Sequence, residues 1–334
     1  MRQIINTILI IVCVTTVCNG QIISKNTQKI VDALAKTNEV QCAAIGYGGS
    51  SSGQYQTYKK LCETASNTEL ILLTNNSNET VRCYAFECLS GRPNVDLFSI
   101  LLKHLTDNKP VTVFCGCTKI ESLVGDYFIQ VATSKKIDNR QFKLSEKQHS
   151  ILDSLLIFQK GIKLYAKYSL LREIKPDIKY HNRIRQIVTK EKIAVAGLAL
   201  ARYKNSMDIE VIKKIFNHEE NEYYAIYAAK EFPDSSFYPL LVKIFEREWN
   251  NKYYDYEKWR ILYQALAKYP RQETFELFKR TTETKDDFRY QRLCTYLTIA
   301  ITKYPHKLFE PLKDKIKLNQ YYQDDVIDQM HYED

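Results

Sequence analysis

Residues 72–89 read LLTNNSNETVRCYAFECL. Leu72 and Leu73 close one helical run, Thr74 to Asn78 make a polar turn, and a second helix opens near Glu79. Two segments upstream of such helices, Ser66-Asn67-Thr68-Glu69 and Asn76-Ser77-Asn78-Glu79, place a small polar residue three positions before a glutamate. That spacing lets each satisfy the other's free backbone N–H at a helix start. A helical hairpin buries only one face by itself, so its recurrence along the chain decides the fold.

The second half supplies that recurrence. Ala196, Ala199, Leu200 and Tyr203 fall at i, i+3, i+4 and i+7, one face of a helix. The same spacing gives Ala225, Ala228, Ala229 and Phe232, then Leu262, Ala265, Leu266 and Tyr269, then Leu297, Ala300, Ile301 and Tyr304. A weaker copy holds Leu170, Leu171 and Ile174. Three copies stop at an aromatic-proline pair (Phe232-Pro233, Tyr269-Pro270, Tyr304-Pro305), where proline disfavours helix in the residue before it. A second amphipathic run follows each. Self-similarity at about 20–50 residues is the mark of a stacked repeat.

Residues 72–89 resemble a HEAT repeat of the short bacterial kind, on Leu72, Leu73, Asn75, Val81-Arg82, Ala85 and Leu89. Leu105-Thr106-Asp107 through Val113 repeats the six-residue step from turn to valine, with Phe114 where the arginine would stand. The copies beyond residue 160 lack the Val-Arg pair. The resemblance implies a curved right-handed stack of helix pairs used for protein–protein contact, and no shared catalytic residues. The expected fold is therefore all-α, an α-solenoid with a short irregular insertion around 111–144.

The expected organisation is a signal peptide over 1–20, a helix and Gly/Ser loop over 21–57, and HEAT-like repeats with the irregular segment over 58–144. Helix-pair repeats follow over 145–318, then an acidic tail over 319–334. The start combines Arg2 with an apolar run over 4–17 that is too short to span a bilayer, and small residues before Gln21, a pattern that predicts export with cleavage near Gly20. Thr15 and Val17 suit a lipid-bearing Cys18 poorly. The expected localisation is periplasmic or secreted, with no membrane-spanning segment after cleavage.

Seven cysteines remain beyond that point: Cys42, Cys62, Cys83, Cys88, Cys115, Cys117 and Cys294. An odd number leaves at least one thiol unpaired in a monomer, and several such residues are expected simply to be buried. Cys83 and Cys115 stand at matching places in successive repeats. Stacked helices lie about 8–10 Å apart, beyond the roughly 7 Å a disulfide tolerates, so those two are not expected to pair.

The net charge of +9 is unevenly spread. Residues 151–215 carry fourteen Lys and Arg against six Asp and Glu, whereas 320–334 hold five acidic residues and no Lys or Arg. Either the basic block is a set of solvated helix faces, or Arg183, Arg185, Lys190, Lys192, Arg202 and Lys204 form a groove for nucleic acid or another acidic polymer over 175–214. Tyr253, Tyr254, Tyr256 and Trp259, near Trp249, are the densest aromatic cluster, with Tyr254 and Trp259 the candidate partner anchors. The alternative is that these rings fill seams between repeats.

Catalytic chemistry is thin. Gly49-Ser50-Ser51-Ser52-Gly53 matches the G-x-S-x-G elbow of hydrolases, with Ser51 as nucleophile, but that reading needs a parallel sheet and later Asp and His partners. Gln54 and Tyr55 stand where a phosphate-binding loop needs Lys and Ser or Thr. Cys115 and Cys117 could join His104 or His149 around a metal, yet structural zinc wants four ligands. The expectation is a non-enzymatic exported scaffold with no cofactor and no metal, binding an unknown protein.

Overall fold

A computed structural model describes residues 23–134 and 142–330, so the expected signal peptide lies outside the described residues. The described chain is mostly helical, 66% helix in 18 helices, but it also carries a four-stranded sheet. The all-α expectation is thereby corrected. The chain divides into two compact units, residues 1–152 with 161–164, and residues 153–160 with 165–334.

The first unit runs α1 (Lys25–Thr37), β1 (Val40–Ile45), β2 (Ser50–Ser51), α2 (Gly53–Thr64), α3 (Asn67–Leu73), α4 (Glu79–Ser90) and α5 (Leu97–Lys103). It continues with β3 (Pro110–Gly116), β4 (Thr118–Leu123), α6 (Val124–Thr133) and the start of α7 (Glu146–Phe158). The strands lie in the order β2-β1-β3-β4, with β1 and β3 parallel. Within the segment expected to be irregular, the described residues 111–133 form the hairpin β3–β4 followed by α6. Its cause is local: Val111-Thr112-Val113-Phe114 is a β-branched and aromatic run, and β-branched side chains stiffen χ1 and suit a pleated surface. The Val113 of the second HEAT-like copy therefore sits in a strand, not a helix.

Between β1 and β3 the chain crosses over through the α3–α4 hairpin. Ser66 and Glu69 form the expected capping box, while α4 is capped by Asn78, two residues later than Asn76. Helix α4 is the core of the unit: Val81, Cys83, Ala85 and Phe86 are fully buried, and Phe86 stacks on Phe128 of α6 with centroids 4.0 Å apart. Arg82 is buried too. Its guanidinium donates to the carbonyls of Asn76 (2.7 Å) and Ser77 (3.1 Å), and its Nε lies 3.0 Å from Asp107 Oδ2. It thus ties the hairpin turn to the next turn along. Gly125 lets α6 approach that second turn, since a Cβ there would sit 2.7 Å from the His104 carbonyl oxygen.

Two disulfides staple this unit. Cys62 of α2 joins Cys88 of α4, and Cys42 of β1 joins Cys115 of β3, each with Cα atoms 5.0 Å apart. Cys83 is free and buried, paired with neither.

The second unit begins within α7 and continues with α8 (Tyr165–Glu173), α9 (Ile178–Gln186), a π-helical turn (Ile187–Glu191), α10 (Val195–Ala201), α11 (Ile209–Lys213), α12 (Glu222–Glu231) and α13 (Tyr238–Trp249). It ends with α14 (Tyr256–Ala267), α15 (Gln272–Thr282), α16 (Asp287–Lys303), α17 (Glu310–Lys313) and α18 (Gln320–Met330). The even-numbered helices pack each on the next, α8 on α10, then α12, α14, α16 and α18. The alanines of the quartets read from the sequence, Ala196, Ala225, Ala228, Ala229, Ala265 and Ala300, are fully buried. Small side chains permit close approach. A Cβ on Gly197 would come within 2.0 Å of Ile215 Cδ1.

Two of the terminal tyrosines of these helices reach back to an earlier turn. Tyr203 OH accepts from the Asp177 N–H (3.2 Å) and donates to the Asp177 carbonyl (2.8 Å), and Tyr269 OH accepts from the Asp234 N–H (3.2 Å). Phe232, at the intervening position, has no hydroxyl to do so. The prolines after these residues lie in the connecting turns. The prolines that occupy a first helical turn are Pro239 of α13 and Pro311 of α17.

Candidate functional site

The basic block divides between cations with internal partners and cations left to solvent. Arg183 is buried, donates from Nε to the Ile157 carbonyl (2.9 Å) and pairs with Glu191 (2.5 Å). Fully buried Lys167 meets the same carboxylate at 2.8 Å. Burial pushes the Glu191 carboxyl up, but the hydrogen bonds from Lys167 and Arg183 outweigh it and hold it below its ordinary value. Arg185 lies 3.1 Å from Asp208, whose other oxygen is 2.6 Å from His181 Nε2. Arg202 binds the carbonyls of Ile174 and Arg172, and burial lowers its pKa. Lys190, Lys192 and Lys204 stay exposed. Three of the six candidate cations thus hold turns of their own unit together.

The aromatic cluster divides differently. Trp259 is fully buried, edge-on to Phe245 (5.0 Å) and stacked near Tyr263 (5.4 Å). The row continues through Phe278 to Phe309, so Trp259 fills a seam and is no partner anchor. Tyr254 is half-exposed and belongs to a surface set. At the start of α14, Tyr254 and Tyr256 have centroids 6.0 Å apart, and Tyr256 meets Phe288 of α16 edge-on at 6.2 Å. The Arg289 guanidinium lies 4.7 Å from the Tyr254 ring and 4.2 Å from Trp249. Arg292 spans from Tyr256 (5.5 Å) to Tyr322 of α18 (5.3 Å), and Tyr322 meets Tyr321 edge-on at 5.0 Å.

Around this frame Tyr253 is 86% exposed, Tyr321 67% and Phe288 56%. The surface lies at the N-terminal ends of α14, α16 and α18. No protein-family model, curated protein or solved structure matches the chain. The reading of the site therefore rests on its own chemistry: flat rings held in place by guanidinium groups, each contact worth about 0.5–1 kcal/mol at exposed positions. The sequence reading missed Phe288, Arg289, Arg292, Tyr321 and Tyr322. Their one sequence signal is recurrence of an aromatic at the start of three successive even-numbered helices.

The catalytic candidates stay apart. Ser51 is exposed on β2, antiparallel to β1, and no histidine hydrogen-bonds it among the described residues. Cys115 is bonded to Cys42, which removes it as a thiolate ligand, and His104 is enclosed by Asp107 and Phe128. No group of three or more His, Cys, Asp or Glu is placed to hold a metal among the described residues. Likewise no described helix is long and apolar enough to cross a membrane.

Proposed function

We propose that the chain is an exported, non-enzymatic scaffold whose helical second unit is a HEAT-like α-solenoid binding another protein. The surface of Tyr253, Phe288 and Tyr321 around Arg289 and Arg292 carries the reading. Tyrosine, tryptophan and arginine concentrate binding energy at protein interfaces. Here the arginines clamp Tyr254, Tyr256 and Tyr322, and Phe288 and Tyr321 pack edge-on against Tyr256 and Tyr322, so they lose little freedom on binding. The layering of even-numbered helices supports the solenoid, and the bond from Arg82 to Asp107 supports the HEAT-like hairpin in the first unit. Two disulfides accord with an oxidising compartment. The polyanion reading is not adopted, because Arg183, Arg185 and Arg202 are engaged internally.

The test compares three immobilised proteins on extract from the native cell envelope: wild type, a Tyr253→Ala/Phe288→Ala/Tyr321→Ala variant, and a Lys190→Ala/Lys192→Ala/Lys204→Ala variant. A protein retained by wild type and the lysine variant, and reduced at least about tenfold by the aromatic variant, is the expected result; each lost anchor is worth on the order of 1–2 kcal/mol. Equal retention on the aromatic variant, or loss on the lysine variant alone, contradicts it.

A further inference from the structure

Three cysteines lie towards one end of the sheet. Cys42 is bonded to Cys115 across β1 and β3, and two residues on, Cys117 is a free and exposed thiol. Gly116-Cys117 is the whole turn of the β3–β4 hairpin, because Cys115 pairs with Thr118. Gly116 holds φ +54°, the left-handed conformation such a turn demands. Its carbonyl accepts the Gly46 N–H at 2.7 Å, which draws the end of β1 against the hairpin tip. Cys115 is exposed as well, so a solvent-accessible disulfide and a solvent-accessible thiol stand two residues apart on one hairpin. Among the described residues the other free thiols, Cys83 and Cys294, are fully buried.

We infer that Cys42, Cys115 and Cys117 form a thiol–disulfide exchange site in which Cys42 changes partner between Cys115 and Cys117. Cys117 loses its proton to solvent and the thiolate attacks Sγ of Cys42. The Cys42–Cys117 bond forms as the Cys42–Cys115 bond breaks, and the electron pair leaves on Cys115, which takes up a proton. Nothing is oxidised or reduced overall, so no co-reactant is needed. The present bridge closes a loop with a sequence separation of 73, and moving it two residues along changes the loop-closure entropy negligibly. Loop closure therefore favours neither pairing, and the exchange predicts that both are populated. The thiol left free attacks an unhindered external disulfide R–S–S–R, forming Cys–S–S–R and expelling RS⁻; attack of RS⁻ on the same bond reverses it. The substrate class is an accessible disulfide.

The experiment labels the native protein with N-ethylmaleimide to completion, digests it without reduction and maps the sulfurs by mass spectrometry. Wild type is expected to carry label on Cys117 and, in the remaining molecules, on Cys115, with none on Cys83 or Cys294. Cys117→Ser should lose the Cys115 label altogether. Cys115→Ser should carry a Cys42–Cys117 bond and lose the mixed disulfide that glutathione disulfide forms with wild type. Label on Cys117 alone throughout the wild-type time course overturns the proposal, as does a folded Cys115→Ser protein with Cys42 and Cys117 both free. The wild-type arm decides the matter even where Cys115→Ser fails to fold.

Discussion

The first unit is held by contacts that occur once, the second by a contact that recurs. In the first, a parallel strand pair, two disulfides and the Arg82–Asp107 bond each join residues far apart in sequence. In the second, helices bearing a buried face of alanine and leucine at i, i+3, i+4 and i+7 pack each on the next, with no disulfide among the described residues. A staple constrains the unfolded chain, whereas a repeat sums neighbour contacts. The two regions should therefore fail under different insults.

Reduction is the largest. Bridges with separations of 26 and 73 each contribute about 3–5 kcal/mol through the unfolded chain. Both tryptophans, Trp249 and Trp259, lie in the second unit. Dithiothreitol should strip hydrogen-exchange protection from α2 and α4 while tryptophan emission holds. Emission moving in step with that loss would erase the distinction.

Trp259→Ala is the reverse insult. It empties a fully buried site between Phe245 and Tyr263 and should cost about 3–5 kcal/mol by urea titration of the second unit, leaving both disulfides formed. Its indole N–H has no hydrogen-bond partner among the described residues, so Trp259→Phe should cost distinctly less. Similar losses for the two would show that the site depends on that N–H.

Tyr269→Phe removes the acceptor of the Asp234 N–H and should cost about 1 kcal/mol. Exchange at the Asp234 amide should quicken, making this joint resemble the one where Phe232 already stands. An unchanged amide would mean the clasp is idle.

The smallest effect is electrostatic. The backbone N–H of Ser66, then that of Ser24, hold Glu69 at about 2 against an ordinary 4.5. The folded value is the lower one, so this stabilisation is complete above 4.5 and lost as pH falls from there towards 2. The melting temperature of wild type should drop more steeply across that window than that of Glu69→Gln. Parallel curves would show that the capping box contributes nothing.

The repeats were legible because helical periodicity is local: Ala225, Ala228, Ala229 and Phe232 declare their face within eight positions. The sheet was not. The parallel partner of β1, β3, lies beyond four intervening helices, and nothing near Val40 indicates Val113. Disulfide partners were hidden for the same reason. The cations misled because charge counts omit carboxylates delivered by folding, such as Asp208 to Arg185. Of the candidate surface, Tyr254 was visible in its cluster, whereas Phe288, Arg292 and Tyr321 join it only once α16 and α18 stand beside α14.

The most direct test of the repeat reading is hydrogen exchange, helix by helix, on Ala228→Leu. This change overpacks the fully buried face of α12 by about 1–3 kcal/mol. Protection should fall first in α10, α12 and α14 and remain near wild type in α16 and α18, as neighbour-coupled layers require. Equal loss from α8 to α18 would contradict the array and, with it, the scaffold built upon it.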